Sequence, residues 1–310
     1  MAISILFTGF HHQLNFNFIG HENFVNQNFS QPFVSRAFTS WVAKSLTIVF
    51  HFTPEEAVYL LELVAFFLVF EIFYKVGVCN KGKQFGIIAT GLLILTIPWF
   101  AFLPRYMPLY FLYDTYALLA NVIFLYFLQK GRFLPFALFF SFATFNRETS
   151  LIFVFIYFLV YFQSLGTYKL LKRIGLLLLI WVSIKLILKF MFSMKGGEVY
   201  QDQYWSNIEF FLSMPYEIKN PIFFEPYYRF SFLIFPFLFL IPLFMKQNVS
   251  MLPLRIRKTL PIGIVILLIF LYTANIYEYR IFTEFLPIFI LPISMIVVQT
   301  IKYGESFELG

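Results

Sequence analysis

Residues 133–163 read FLPFALFFSFATFNRETSLIFVFIYFLVYFQ, two strongly apolar runs joined by the polar tetrapeptide Asn146-Arg147-Glu148-Thr149. As one helix this stretch would be about 46 Å long at ~1.5 Å per residue, well beyond a hydrocarbon core of ~30 Å, with Arg147 and Glu148 near its middle. An ionisable side chain at the bilayer centre costs about 2.5–3.5 kcal/mol on insertion scales. Two short helices meeting at the tetrapeptide avoid both difficulties, provided the polar residues are buried in protein or line a wet cavity. The choice also sets topology, because one continuous crossing would reverse the sidedness of every later loop.

Outward from this stretch the same apolar character continues. Of the 310 residues, 60% are hydrophobic, 23% aromatic and 13% charged, and the mean hydropathy is +0.78. A soluble domain would be about 45–50% apolar and about 25% charged, so an ordinary soluble globule is excluded. Apolar runs fall at 56–78, 85–103, 109–128, 133–145, 149–163, 174–193, 229–245, 259–273 and 281–301, predicting an all-α polytopic bundle of about nine crossings, some short or broken. A transmembrane barrel would alternate apolar and polar residues, and these runs do not. Lys, Gly and Pro mark the connectors, as in Cys79-Asn80-Lys81-Gly82-Lys83 and Gln129-Lys130-Gly131-Arg132. Cys79 is the only cysteine, so no intramolecular disulfide forms and stability rests on helix packing.

The net charge of +7 reads as membrane topology rather than as affinity for nucleic acid. Lys75, Lys81 and Lys83 flank one connector, Lys130 and Arg132 a second, Lys169, Lys172 and Arg173 a third, and Lys246, Arg255, Arg257 and Lys258 a fourth. Two crossings separate each from the next, which places these four on the cytoplasmic side. The organisation that follows has an extracytoplasmic amphipathic segment over 1–55, a transmembrane bundle over 56–303 with an extracytoplasmic loop at 194–228, and a cytoplasmic tail at 304–310. Within the first segment, Met1–Phe10 is apolar but too short to span, and residues 33–50 read as an amphipathic or shallow helix. Either the run 56–78 inserts with its amino terminus outward, or a further helix precedes the sequence given.

Sorted by side, Glu22, Arg36, Arg105, Asp114, Arg147, Glu148, Arg280 and Glu284 all belong to the outer half, so a polar site opening outward is the economical reading. Arg147-Glu148 offers an anion anchor beside a carboxylate; the plainer alternative is a fixed pair that stabilises a helix end. Asp114, Arg147 and Glu148 are each costly in a bilayer and are expected to line one shared cavity. Arg280 and Glu284, spaced i, i+4, share a helix face if the helix extends that far, and neutralising one another is the simpler role. Lys185 and Lys189 share the same spacing; Lys189 is expected to snorkel to the interface, and Lys185 to reach a lipid phosphate. His11, His12, His21 and His51 match no zinc spacing and read as surface or interfacial residues, so no metal site is assigned. There is no P-loop, no G-x-S-x-G and no H-E-x-x-H.

Four segments, QPFVSRAF (31–38), YDTYALLANVIFLYF (113–127), ATFNRETSLIFVF (143–155) and EYRIFTEFLPIFILP (278–292), together resemble the GT-C class of polytopic membrane glycosyltransferases. That class carries an acidic residue, usually Asp, in the first outer loop after an initial transmembrane helix. Here the first outer segment offers Glu22, with no Asp and no spanning run ahead of it. The resemblance implies inverting transfer of a sugar from a polyprenyl-phosphate donor to an acceptor at the outer face of a bacterial inner membrane. Glu22, Asp114 or Glu148 would be the catalytic base, and Arg36, Arg147, Lys185 or Arg280, with Glu284 beside it, would bind substrate. A divalent ion is the one auxiliary group it would admit. The expected partners are membrane lipid and the lipid-linked sugar, with no nucleic acid. The rival readings are a non-catalytic subunit of a larger membrane complex and another envelope-polysaccharide polymerase or ligase.

Overall fold

The computed structural model describes residues 1–15, 21–28, 36–101, 112–195, 204–205, 254–259, 261–262, 266 and 283–308. Every regular element among them is helical: α1 (Ala2–Asn15), α2 (His21–Val25), α3 (Ala37–Val49), α4 (Pro54–Lys81), α5 (Lys83–Ala101), α6 (Leu112–Lys130), α7 (Phe133–Asn146), a 3-10 turn (Glu148–Leu151), α8 (Ile152–Tyr161), α9 (Thr167–Met191), α10 (Leu254–Arg257) and α11 (Leu286–Glu308). Three of these, α4, α6 and α9, are long and apolar enough to cross a membrane. Of the nine apolar runs, 229–245 and most of 259–273 lie outside the described residues.

The stretch 133–163 forms two helices. The backbone leaves α7 at Arg147, whose φ of −153° and ψ of 146° are extended, and resumes as the 3-10 turn before α8. Local hydroxyls hold the break: Thr144 Oγ1 lies 2.8 Å from the Phe140 carbonyl oxygen and 3.1 Å from Ser150 Oγ. Three of the polar residues at the break, Asn146, Arg147 and Ser150, are buried in protein.

Chain termini of the long helices follow local rules. Thr53 and Glu56 bracket Pro54 as a capping box: the Glu56 N–H donates to Thr53 Oγ1 at 3.2 Å, and the Thr53 N–H donates to Glu56 Oε2 at 2.8 Å. At the far end of α4, Gly82 takes φ +90° and its N–H donates to the Val78 carbonyl at 3.0 Å, the single-bond left-handed cap. Gly131 ends α6 differently. It takes φ +69°, its N–H donates to Leu128, and the next N–H, of Arg132, reaches back to Phe127, which together make a Schellman motif. One expected connector is shorter than the sequence suggests: Lys169, Lys172 and Arg173 lie within the first turns of α9, because the apolar run begins after the helix does. Arg173 is held there, donating to Tyr157 Oη at 2.7 Å with its guanidinium 4.7 Å from the Phe133 ring centroid.

The contacts divide the chain into two compact units, 1–76 with 108–200, and 77–107 with 201–310. In the first, α6 and α7 pair as a hairpin and α7 packs on α9. Phe124 centres the interface, with Phe136, Phe140 and Phe153 rings at 5.0, 6.2 and 4.0 Å. Helix α3 lies within the bounds of the expected amphipathic segment, and its small residues seat it in this unit. Ala43 joins a cluster with Val58, Leu61, Leu112 and Tyr113, while Ala37 joins one with Ile184, Leu188 and Phe192. Helix α1 docks on α4 through Phe7, whose ring meets Phe66 and Phe70 edge-on. On α9 the buried positions Leu170, Leu177, Ile184 and Leu188 form one stripe, and Leu179, Leu186 and Phe190 stand exposed around it.

In the second unit α5 packs on α11. The hairpin from the last turns of α4 into α5 is close enough that a Cβ added at Gly77 would sit 2.6 Å from the Gly86 Cα, so a side chain there has no room. Helix α11 runs through Pro292 and continues to Glu308, into the stretch expected to be a tail.

Candidate functional site

The break after α7 gathers charged residues from four parts of the first unit. Arg36 stands at the start of α3, Asp114 in the first turn of α6, Arg147 and Glu148 at the break, and Lys185 on α9. Extended backbone at Arg147 sends neighbouring side chains to opposite sides, so Arg147 and Glu148 find different partners. Arg147 Nη1 donates to Asp114 Oδ1 at 2.8 Å, and the two side chains are 5% and 1% exposed. Glu148 accepts from Arg36 Nη2 at 3.0 Å on one oxygen, and Lys185 Nζ lies 3.8 Å from the other. Its side chain remains 44% exposed.

Neighbouring groups hold this arrangement. Asn146 Nδ2 donates to the Tyr113 carbonyl at 2.7 Å, locking the end of α7 to the start of α6. The Arg36 guanidinium lies 4.9 Å from the Tyr113 ring centroid, and Trp181 Nε1 reaches the Glu148 carbonyl oxygen at 3.4 Å. Three cations face two carboxylates across these five residues, which leaves the cluster net positive. Its inner pair is closed off from solvent. Its outer triad holds the carboxylate of a half-exposed side chain between two cations.

The sequence candidates therefore separate. Arg36, Asp114, Arg147, Glu148 and Lys185 come together, whereas Glu22 is exposed on the short helix α2. Arg280 lies outside the described residues, and Glu284 is buried in the second unit, in a turn ahead of α11. Asp114, Arg147 and Glu148 meet at the break, each paired with an opposite charge. A groove of about 230 Å³ beside them is lined by Phe38, Tyr116 and Phe142 among others, and of the tetrapeptide only Asn146 reaches it.

A divalent ion does not suit the network. The described carboxylates that would ligate it already face Arg147, Arg36 and Lys185, and among the described residues no group of three His, Cys, Asp or Glu converges.

Sequence reading passed over Glu62. It lies on α4 with none of its surface exposed, and accepts from Thr115 Oγ1 at 3.3 Å, one residue along α6 from Asp114. The signal was available, since a carboxylate set among apolar residues is the same feature that singled out Asp114. Trp181 and Tyr113 carried no such signal, being aromatic residues in a chain full of them. No protein-family model, no curated protein and no solved structure matches the chain.

Proposed function

We propose that the protein is a GT-C-like glycosyltransferase that moves a sugar from a polyprenyl-phosphate donor to an acceptor hydroxyl. The observation that carries this reading is the Glu148 carboxylate, on a half-exposed side chain, held between Arg36 and Lys185. A lipid phosphate entering the cluster draws on the same two cations, and as they turn to it Glu148 loses the charges that suppress its basicity. The acceptor oxygen then attacks the anomeric carbon as the bond from that carbon to the phosphate oxygen breaks. The acceptor proton passes to Glu148, and the lipid phosphate leaves against Arg36 and Lys185. Asp114 and Arg147, closed on one another, fix the break in place and take no part in the transfer.

In this reading the chain crosses a bacterial inner membrane about nine times. The helices α4, α6 and α9, together with α5, α7, α8 and α11, supply seven crossings, and the runs at 229–245 and 259–273 supply the rest. The charged cluster faces outward. Purified protein supplied with polyprenyl-phosphate sugars should show turnover that Glu148→Gln abolishes and Arg36→Gln reduces at least tenfold. A parent protein that consumes none of these donors would sink the proposal. A non-catalytic membrane subunit is favoured by a different observation, the mutual neutralisation of Asp114 and Arg147 with almost no exposed surface. Such a subunit would copurify with larger partners in fixed ratio.

A further inference from the structure

The end of the first unit opposite the break carries charge of one sign. Helices α7 and α9 run in the same direction: Phe145 packs against the cluster that holds Ile184, and Trp181 reaches the Glu148 carbonyl oxygen, while at the helix starts the Arg173 guanidinium lies 4.7 Å from the Phe133 ring centroid. The ends of α6 and α8 meet there too, because α7 follows α6 directly and Tyr161 Oη, at the end of α8, donates to the Leu128 carbonyl oxygen at 2.6 Å. Four helix ends thus bring Lys130, Arg132, Lys169, Lys172 and Arg173 to one surface.

No acid accompanies them. Between residues 115 and 197 the sequence holds a single carboxylate, Glu148, and it sits at the far end of α7. Glu71 on α4 is already matched by Lys75 at 3.0 Å, and among the described residues none of the five bases pairs with a carboxylate. Lys130, Arg132, Lys169 and Lys172 are exposed. Basic residues at the starts of α7 and α9 oppose the helix dipoles, so capping does not account for them.

Apolar surface begins directly beside the charges, with Leu134 79% and Leu171 60% exposed. On α9, Lys172 heads a line of exposed residues, Leu176, Leu179 and Leu186, whose spacing keeps them on one face. From Lys172 to Leu186 the line runs about 21 Å at ~1.5 Å per residue, more than the ~15 Å of one leaflet in a ~30 Å hydrocarbon core. A soluble acidic partner would match the charges and leave this line uncovered. A zwitterionic lipid would cover the line and leave the charges unmatched.

From these features we infer that this surface binds an anionic phospholipid, its phosphate headgroup held by the five bases and an acyl chain lying along α9. Arg173 gives one of its N–H groups to Tyr157 Oη at 2.7 Å, so its planar fork is already oriented when a phosphate arrives. The inference rests on the bundle's lying in a membrane and is independent of sugar transfer and of which side this end faces.

The test titrates the full chain, purified in detergent, with phosphatidylglycerol or phosphatidylcholine of the same acyl chains and counts bound lipid by native mass spectrometry. Phosphatidylglycerol should bind at least tenfold more tightly. Lys172→Gln and Arg132→Gln should each weaken it roughly fivefold, the equivalent of about 1 kcal/mol per basic residue, with phosphatidylcholine unchanged. Lys44→Gln, which removes an exposed base on α3, should change neither. Glycerophosphoglycerol, the same headgroup without chains, should not compete at a hundredfold excess. Equal affinity for the two lipids would leave the bases as topology signals only and overturn the inference. So would a loss in Lys44→Gln as large as that in Lys172→Gln, or displacement of the lipid by the chainless headgroup.

Discussion

Replacing Arg147 by Leu should destabilise the protein by about 3–5 kcal/mol, the usual cost of leaving one member of a buried ion pair uncompensated. The structure makes this a severe case. Asp114 is 1% exposed and its carboxylate meets the guanidinium at 2.8 Å, so bulk water cannot take the place of Arg147. At an effective dielectric of ~20 the attraction across that contact is on the order of 6 kcal/mol, and it balances the desolvation of two charges. The double variant Arg147→Leu with Asp114→Leu removes both sides of that balance and should return to within about 1–2 kcal/mol of the parent. The measurement is a double-mutant cycle read by thermal unfolding in detergent, with Asp114→Leu as the other single variant. A coupling of several kcal/mol is expected. Single variants within about 0.5 kcal/mol of the parent, or a double variant as damaged as the sum of the singles, would refute a closed pair that fixes the break after α7.

Arg147→Lys keeps the charge but loses the guanidinium fork; if Arg147 holds Asp114 rather than substrate, stability should fall while turnover by the folded fraction changes little. Tyr161→Phe removes a 2.6 Å hydrogen bond from Oη to the Leu128 carbonyl and should cost about 1 kcal/mol in a denaturant titration, with the fold retained. Gly77→Val should be far worse, since its side chain meets the Gly86 backbone; yield of folded protein in detergent chromatography should collapse, while Gly91→Ala, with open space around it, should not. In a Cys79→Ser background, single cysteines within 194–228 should react with an impermeant thiol reagent added outside intact cells, and those within 247–257 should not; the reverse would invert the orientation.

Much of the helical pattern is written locally. The capping box at Thr53-Pro54-Glu55-Glu56 and the Lys-Gly steps at 81–82 and 130–131 act through groups three to five residues apart, so chain order is enough to place these ends. The break inside 133–163 is also local in origin, because two charges and an amide cannot sit in the middle of an apolar helix unless something receives them. What receives them is not local. Adjacency suggested that Arg147 would pair with Glu148, yet Arg147 closes on Asp114, 33 residues away, and Glu148 closes on Arg36, 112 residues away. The reason is geometric: extended backbone turns neighbouring side chains apart, and each charge then takes the nearest opposite charge that packing delivers. Packing likewise brought Lys185 to Glu148 and left Glu22 exposed on α2, a division that charge and hydropathy along the chain do not encode. It also oriented the Asn146 side chain, since only the arrival of the Tyr113 carbonyl decides which way that amide faces.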